Sequence, residues 1–212
     1  MTRRISFVLA SCFVIVSGAA GLIAMEPNLQ DPEPRARPDL VRGPYSKADV
    51  EFMQGMIPHH AQAVVMGRMA RTHGAREDVR ILCERIIVAQ GDEITYMRNW
   101  LRDRGQVVPP AGATHHTHTM NGTTHEMLMP GMLTPEEMAV LDKARGPEWD
   151  RLFLAGMIKH HEGALTMVDG LFETYGALQD DDMFKFASDI YADQTTEIDF
   201  MQKMLDEMPS RK

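Results

Sequence analysis

The chain has 212 residues, 44% of them hydrophobic, enough to bury one sizeable core after any targeting segment is set aside. Its 30 acidic and 22 basic residues give a net charge of -8, which excludes the basic face that nonspecific nucleic-acid binding needs. Methionine is abundant at 18 residues while aromatics make up only 7%, a balance that suits soft-sulfur chemistry or an adaptable core.

Arg3 and Arg4 precede the apolar stretch ISFVLASCFVIVSGAAGLIA, and small residues at Ser17, Ala19 and Ala20 offer a cleavage point. Residues 1–25 are therefore expected to form an export signal. The stretch is 20 residues long and could also span a bilayer as an uncleaved anchor. Both forms place the remainder outside the cytoplasm, whether periplasmic, secreted or tethered to the outer face of the membrane. Loss of Arg3 and Arg4 would take the net charge from -8 to -10, and only Cys83 would remain, which excludes an internal disulfide. Residues 26–45 are proline-rich and charged, and are expected to be a disordered linker.

Ser46, with Asp49 three positions on, opens a helical pattern that runs to about His73, before Gly74. A second helix over Ala75 to Arg104 completes a first hairpin, 46–104. Residues 105–133 contain Pro109, Pro110, several glycines and interleaved His and Met, and read as a long loop. TPEE at 134–137 is a capping box that starts a short helix over 134–145. Pro147 begins a third long helix ending near Gly176, and Asp180 to Met208 makes a fourth, giving a second hairpin over 147–208. No alternating strand-like run of any length is present, so the expected fold is all-α.

The two hairpins repeat one another. Asp49, Phe52, Gly55, Met56, His59, His60, Ala63 and Met66 match Asp150, Phe153, Gly156, Met157, His160, His161, Ala164 and Met167 at a constant offset of 101. Ile86, Gln90, Glu93, Ile94 and Met97 on the second helix match Ile190, Gln194, Glu197, Ile198 and Met201 on the fourth. Two such hairpins, each with an apolar stripe to bury, predict a four-helix bundle.

Helical spacing places Phe52, Met56, His59, Ala63 and Met66 on one face, and Phe153, Met157, His160, Ala164 and Met167 on its equivalent. On the partner helices the same arithmetic gives Gln90, Glu93 and Met97, and Gln194, Glu197 and Met201. Buried imidazoles and carboxylates need partners, which predicts a central cluster of His59, His160, Glu93 and Glu197 with Gln90 and Gln194 nearby. Met56, Met66, Met97, Met157, Met167 and Met201 are expected above and below it. His60 and His161 lie one residue round the helix, where they either complete the site or face the adjoining groove. Mutual hydrogen bonding with methionine as core filler is the simpler alternative, but the duplication favours an ion at the centre. Pro58 lacks the N–H that would bond Gln54 and is expected to kink the first helix beside His59.

The loop carries a second constellation, HHTHTMNGTTHEMLMPGM at 115–132, in which His115, His116, His118 and His125 alternate with Met120, Met127, Met129 and Met132. Imidazole suits Cu(II), Zn and Ni, and thioether adds preference for Cu(I), so copper fits both ligand types. A soluble linker with a chance His tract is the alternative. His73, in the last turn of its helix, is expected to be only a favourable helix-end residue.

MIPHHAQAVVM and MIKHHEGALTM, with PGM at 130–132 and DRLFLAGMIKHHEGA at 150–164, resemble the exported bacterial family known as domain of unknown function 305. The resemblance covers about residues 46–208. It implies a ferritin-like fold and, from the copper-binding members, copper ligation at Met56, His59, His60 and Met66 and at Met157, His160, His161 and Met167. The His-rich loop is outside the matched pattern.

The resulting expectation is an extracytoplasmic protein that sequesters or passes on copper, as Cu(I) or Cu(II), without turnover. Its partner is the metal ion; a membrane tether through the N-terminal segment and a homo-oligomer are left open. A ferritin-like metal-dependent oxidase is a second candidate, although the second and fourth helices offer Gln-x-x-Glu in place of Glu-x-x-His. A metal-free helical binding module is a third. No nucleophilic triad, phosphate loop or dinucleotide fingerprint is apparent.

Overall fold

Helix α1 (Lys47–Arg68) starts on Ser46, whose hydroxyl accepts from the Asp49 amide while Asp49 accepts from the Ser46 amide at 2.7 Å. This reciprocal cap satisfies two of the donors that a helix start leaves free. The computed structural model describes residues 43–209 except 115, 121 and 122, with backbone alone for 116–120 and 123–126. Residues 1–25 and most of the linker thus lie outside the described residues. Helix α1 is continuous through Pro58 and gives way to a 3₁₀ turn at Met69–Arg71, short of the expected His73. Gly74, at φ +72°, then reverses the chain into α2 (Glu77–Asp103).

Between the hairpins the expected loop contains a two-stranded antiparallel ribbon, β1 (His116–Met120) and β2 (Thr123–Met127), with His118 opposite His125. Its threonines favour extended backbone, and Asn121-Gly122 is a strong hairpin signal in sequence, but neither strand carries an apolar period. A search for hydrophobic alternation passes over such a ribbon. Helix α3 (Pro135–Lys143) starts on the Thr134 and Glu137 box, α4 (Pro147–Phe172) follows Gly146, and α5 (Asp181–Asp206) is capped by Asp180.

The molecule is all-α in its large elements. Helix α1 packs on α2 and α4 on α5, and the two hairpins meet through α1 and α4. Phe52, Met53 and Met56 of α1 share an apolar cluster with Ala164, Val168 and Leu171 of α4, whereas Ala63 and Met66 share another with Phe153 and Met157. These pairings set α1 and α4 antiparallel, with His59 and His160 level between the two halves of the core. Among the described residues no helix is long and apolar enough to cross a membrane.

The repeat is locked by crossed clamps. Asp49 of the first hairpin is fully buried and accepts from the Leu178 amide at 2.9 Å, in the turn before α5. Its counterpart Asp150 accepts from the Arg76 amide at 3.2 Å, at the start of α2. Each hairpin therefore holds the turn of the other.

Candidate metal centre

Four imidazoles form the layer between the apolar halves, for His59, His60, His160 and His161 are all fully buried. The rings of His59 and His160 lie 3.8 Å apart, centroid to centroid, at an interplanar angle of 40°. His160 donates through Nε2 to the His59 carbonyl at 2.9 Å, and His59 donates through Nε2 to the Pro130 carbonyl at 3.0 Å. His60 Nε2 sits 2.7 Å from Glu93 Oε2, and His161 Nε2 sits 2.8 Å from Glu197 Oε2.

The expected cluster is therefore regrouped. Glu93 and Glu197 pair with His60 and His161, not with His59 and His160, because the second histidine of each pair is turned toward the neighbouring helix of its own hairpin. The two carboxylates, Glu93 and Glu197, line a groove of about 650 Å³ between α2 and α5 together with Gln90, Asp193 and Gln194. Among the described residues no three His, Cys, Asp or Glu side chains are gathered closely enough to hold an ion by themselves.

Met66, Met157 and Met201 lie in one apolar half and Met56 and Met97 in the other, all fully buried, with half-buried Met167 packed against the second half. They bracket the imidazole layer as the spacing predicts. His115 and the side chains of His116, His118, Met120 and His125 lie outside the described residues. His73 is buried, and its Nε2 donates to the Asp142 carbonyl at 2.9 Å, which ties the end of the first hairpin to α3.

Residues 129–133 form a strap at the site that helical spacing does not reveal. This strap runs along the groove between α1 and α4. Gln62 holds it in two places, accepting from the Leu133 amide at 2.7 Å and donating to the Leu133 carbonyl at 2.9 Å. Gly163 lets it lie against the α4 backbone, since a Cβ at that position would fall 2.0 Å from the Pro130 carbonyl oxygen. Gly131 takes φ +75° with its own face against Gly163 and the Lys159 carbonyl. The sequence signals are the PGM tripeptide and the absence of a side chain at 163, and neither has a helical period.

Burial, followed by the proximity of His60, pushes His59 down from 6.5 to about 3, and burial with His59 alongside pushes His160 well below its ordinary value. Both rings are neutral at ordinary pH. In His59 and His160 the Nε2 atom faces a carbonyl oxygen, which places the single ring proton on Nε2 and the lone pair on Nδ1. The Nδ1 atoms of all four rings are buried without a protein hydrogen-bond partner, as are both amide atoms of Gln90 and Gln194.

Residues 49–205 match the family described as Domain of unknown function (DUF305). The chain belongs to the DUF305 family. A DUF305 protein of Streptomyces coelicolor described as secreted is 28% identical, covering 78% of this chain and 96% of its own, with a TM-score of 0.63. A DUF305 fragment from Deinococcus radiodurans is 27% identical over 77% and 98%, with a TM-score of 0.61. CopM in its Cu(I)-bound form is 26% identical over 76% and 98%, with a TM-score of 0.57, and CopM structures with Cu(II) and Ag also match. No match was found among the curated proteins.

The donors of the layer fit a soft or borderline metal. Imidazole nitrogens without a protein partner at Nδ1, in a core that also holds thioethers, are ligands such ions prefer, and the Nε2–H bonds of His59 and His160 to carbonyl oxygen fix ring orientation in the manner of an outer ligand shell. The oxygen-only cage that Ca or Mg requires is not formed.

Proposed function

We propose that this DUF305 protein is an extracytoplasmic copper-handling protein that sequesters or passes on the ion without catalytic turnover. The observation that carries this reading is the set of four buried imidazoles whose Nδ1 atoms have no protein partner, bracketed by methionines. His59, His60, His160 and His161 would supply nitrogen, and Met56, Met66, Met97, Met157, Met167 and Met201 would supply sulfur. Glu93 and Glu197 orient the outer two rings, and the His/Met-rich ribbon with His115, His116, His118, Met120 and His125 would present further ligands. Copper, when bound, would find both the nitrogen that suits Cu(II) and the sulfur that suits Cu(I). The likeness to copper-bound and silver-bound CopM supports the metal class, and the export-like leader and the likeness to a secreted protein support the compartment.

Equimolar Cu, Zn, Fe and Mn offered to the full chain should leave copper preferentially retained, with less retained by the His59→Ala, His160→Ala double variant. Preferential retention of iron or manganese contradicts the reading. One observation favours a second reading, a metal-free binding module: the imidazoles of His59, His160 and His161 are already hydrogen-bonded to oxygen at Nε2. Copper-induced change in thermal stability distinguishes the two, because a metal-free module shows none in either direction.

A further inference from the structure

The strap crosses α1 and α4 at two glycine notches that the internal repeat makes equivalent. A methyl group placed on Gly55 would lie 2.7 Å from Cε of Met129, 3.5 Å from its sulfur and 3.5 Å from Cε of Met167. A methyl group placed on Gly156 would lie 3.2 Å from Cδ2 of Leu133 and 3.4 Å from Cε of Met66. Gly55 and Gly156 are repeat partners, as are Met66 and Met167. The notches thus share a glycine and a helix methionine, and they differ in what the strap brings. One receives a second thioether, the other a leucine.

They differ in access as well. Met66 and Leu133 are buried, whereas Met129 and Met167 are each half-buried. The remaining strap methionine is engaged elsewhere, since the Met132 sulfur accepts from the Met129 amide at 3.3 Å. Two half-buried methionines whose side-chain ends converge on a glycine, where the missing Cβ makes room for one of them, suit a large polarisable ion better than water or a hard cation.

We propose that Met129 and Met167, meeting over Gly55, form a separate binding site for a soft monovalent ion of the Cu(I) or Ag(I) class. The proposal rests on the copper-handling reading and deepens it by naming the place where a soft ion is first taken up, outside the imidazole layer. Gly55 is a positioning residue, because it sets where the Met129 sulfur stands. Leu133 leaves the twin notch with a single sulfur, so the strap confines uptake to one side.

The test is a titration of the full chain with Ag(I), and with Cu(I) under anaerobic conditions, followed by methionine-methyl and histidine NMR. At substoichiometric ion the methyl signals of Met129 and Met167 should shift first, before the imidazole signals of His59, His60, His160 and His161. Met129→Leu and Met167→Leu, which conserve apolar volume, should each lose about one equivalent of ion. Gly55→Ala, whose new methyl displaces the flexible end of Met129, should weaken binding about tenfold with little change in thermal stability. First movement of the imidazoles or of the 116–127 ribbon, with the two methyls fixed, overturns the proposal and leaves the copper reading standing. Unchanged stoichiometry in both leucine variants does the same. Absence of Cu(I) and Ag(I) binding by the wild type overturns both. The wild-type titration decides the question even if a variant fails to fold.

Discussion

Gly163 and its repeat partner Gln62 show how one position can serve opposite needs in two copies of a motif. Gln62 reaches out to grip Leu133 by both backbone groups, whereas Gly163 withdraws so that Pro130 and Gly131 can press against α4. An alanine at 163 would put a carbon 2.0 Å from a backbone oxygen, so either the strap or the helix must move. Gly163→Ala should therefore cost about 1–3 kcal/mol, as overpacking of a filled site does, and should speed hydrogen exchange at the Leu133 amide. Unchanged melting and unchanged Leu133 protection would show that the strap is not held here. Helical arithmetic put His59 and His160 inward correctly, because period fixes which face a residue occupies. It could not assign their partners: the next histidine lies about 100° further round the helix, which is enough to hand Glu93 to His60 and Glu197 to His161.

Elements were legible where capping chemistry marks an end. Ser46 with Asp49 and Thr134 with Glu137 both form the reciprocal caps that their spacing implies. The ribbon over 116–127 was not legible as strand, because its sequence mixes threonine with histidine and carries no apolar period. Asp49 illustrates a second kind of hidden role, since a cap residue is also the anchor for a turn more than a hundred residues away. Asp49→Ala removes the cap of α1 and leaves the Leu178 amide without its partner, for an expected loss of about 2–4 kcal/mol. Asp150→Ala should cost less, because its bonds to the Arg76 amide are longer, 3.2 and 3.4 Å, and burial already pushes its carboxyl above the usual range. Chemical denaturation of the two variants gives the order, and no loss on Asp150→Ala, which caps no helix, would mean that its clamp on the Arg76 amide contributes nothing.

Across the whole molecule, the imidazole layer couples folding to pH. The unfolded chain protonates its histidines near 6.5, whereas His59 in the core resists protonation until about 3 and His160 is shifted in the same direction. Between those values the unfolded state binds more protons, so the stability present above about pH 6.5 declines as pH falls. The expected slope in metal-free protein is on the order of 1 kcal/mol per pH unit for each of His59 and His160, and denaturant midpoints between about pH 5 and 7.5 measure it. A flat profile would mean that the layer admits protons freely. The duplicated hairpins, and hence the all-α architecture, were readable because every apolar and polar stripe occurs twice. The strap was not readable, because a segment that occurs once has no second copy to reveal its pattern.

A groove between two equivalent helices has room for one traveller. Because the segment joining the hairpins fills that lane in a single direction, α1 and α4 cannot present identical surfaces, however closely their sequences agree. Tandem fusion therefore turns a symmetric pair of rods into a molecule with a front and a back, one flank carrying two half-buried methionines and the other closed by a buried leucine.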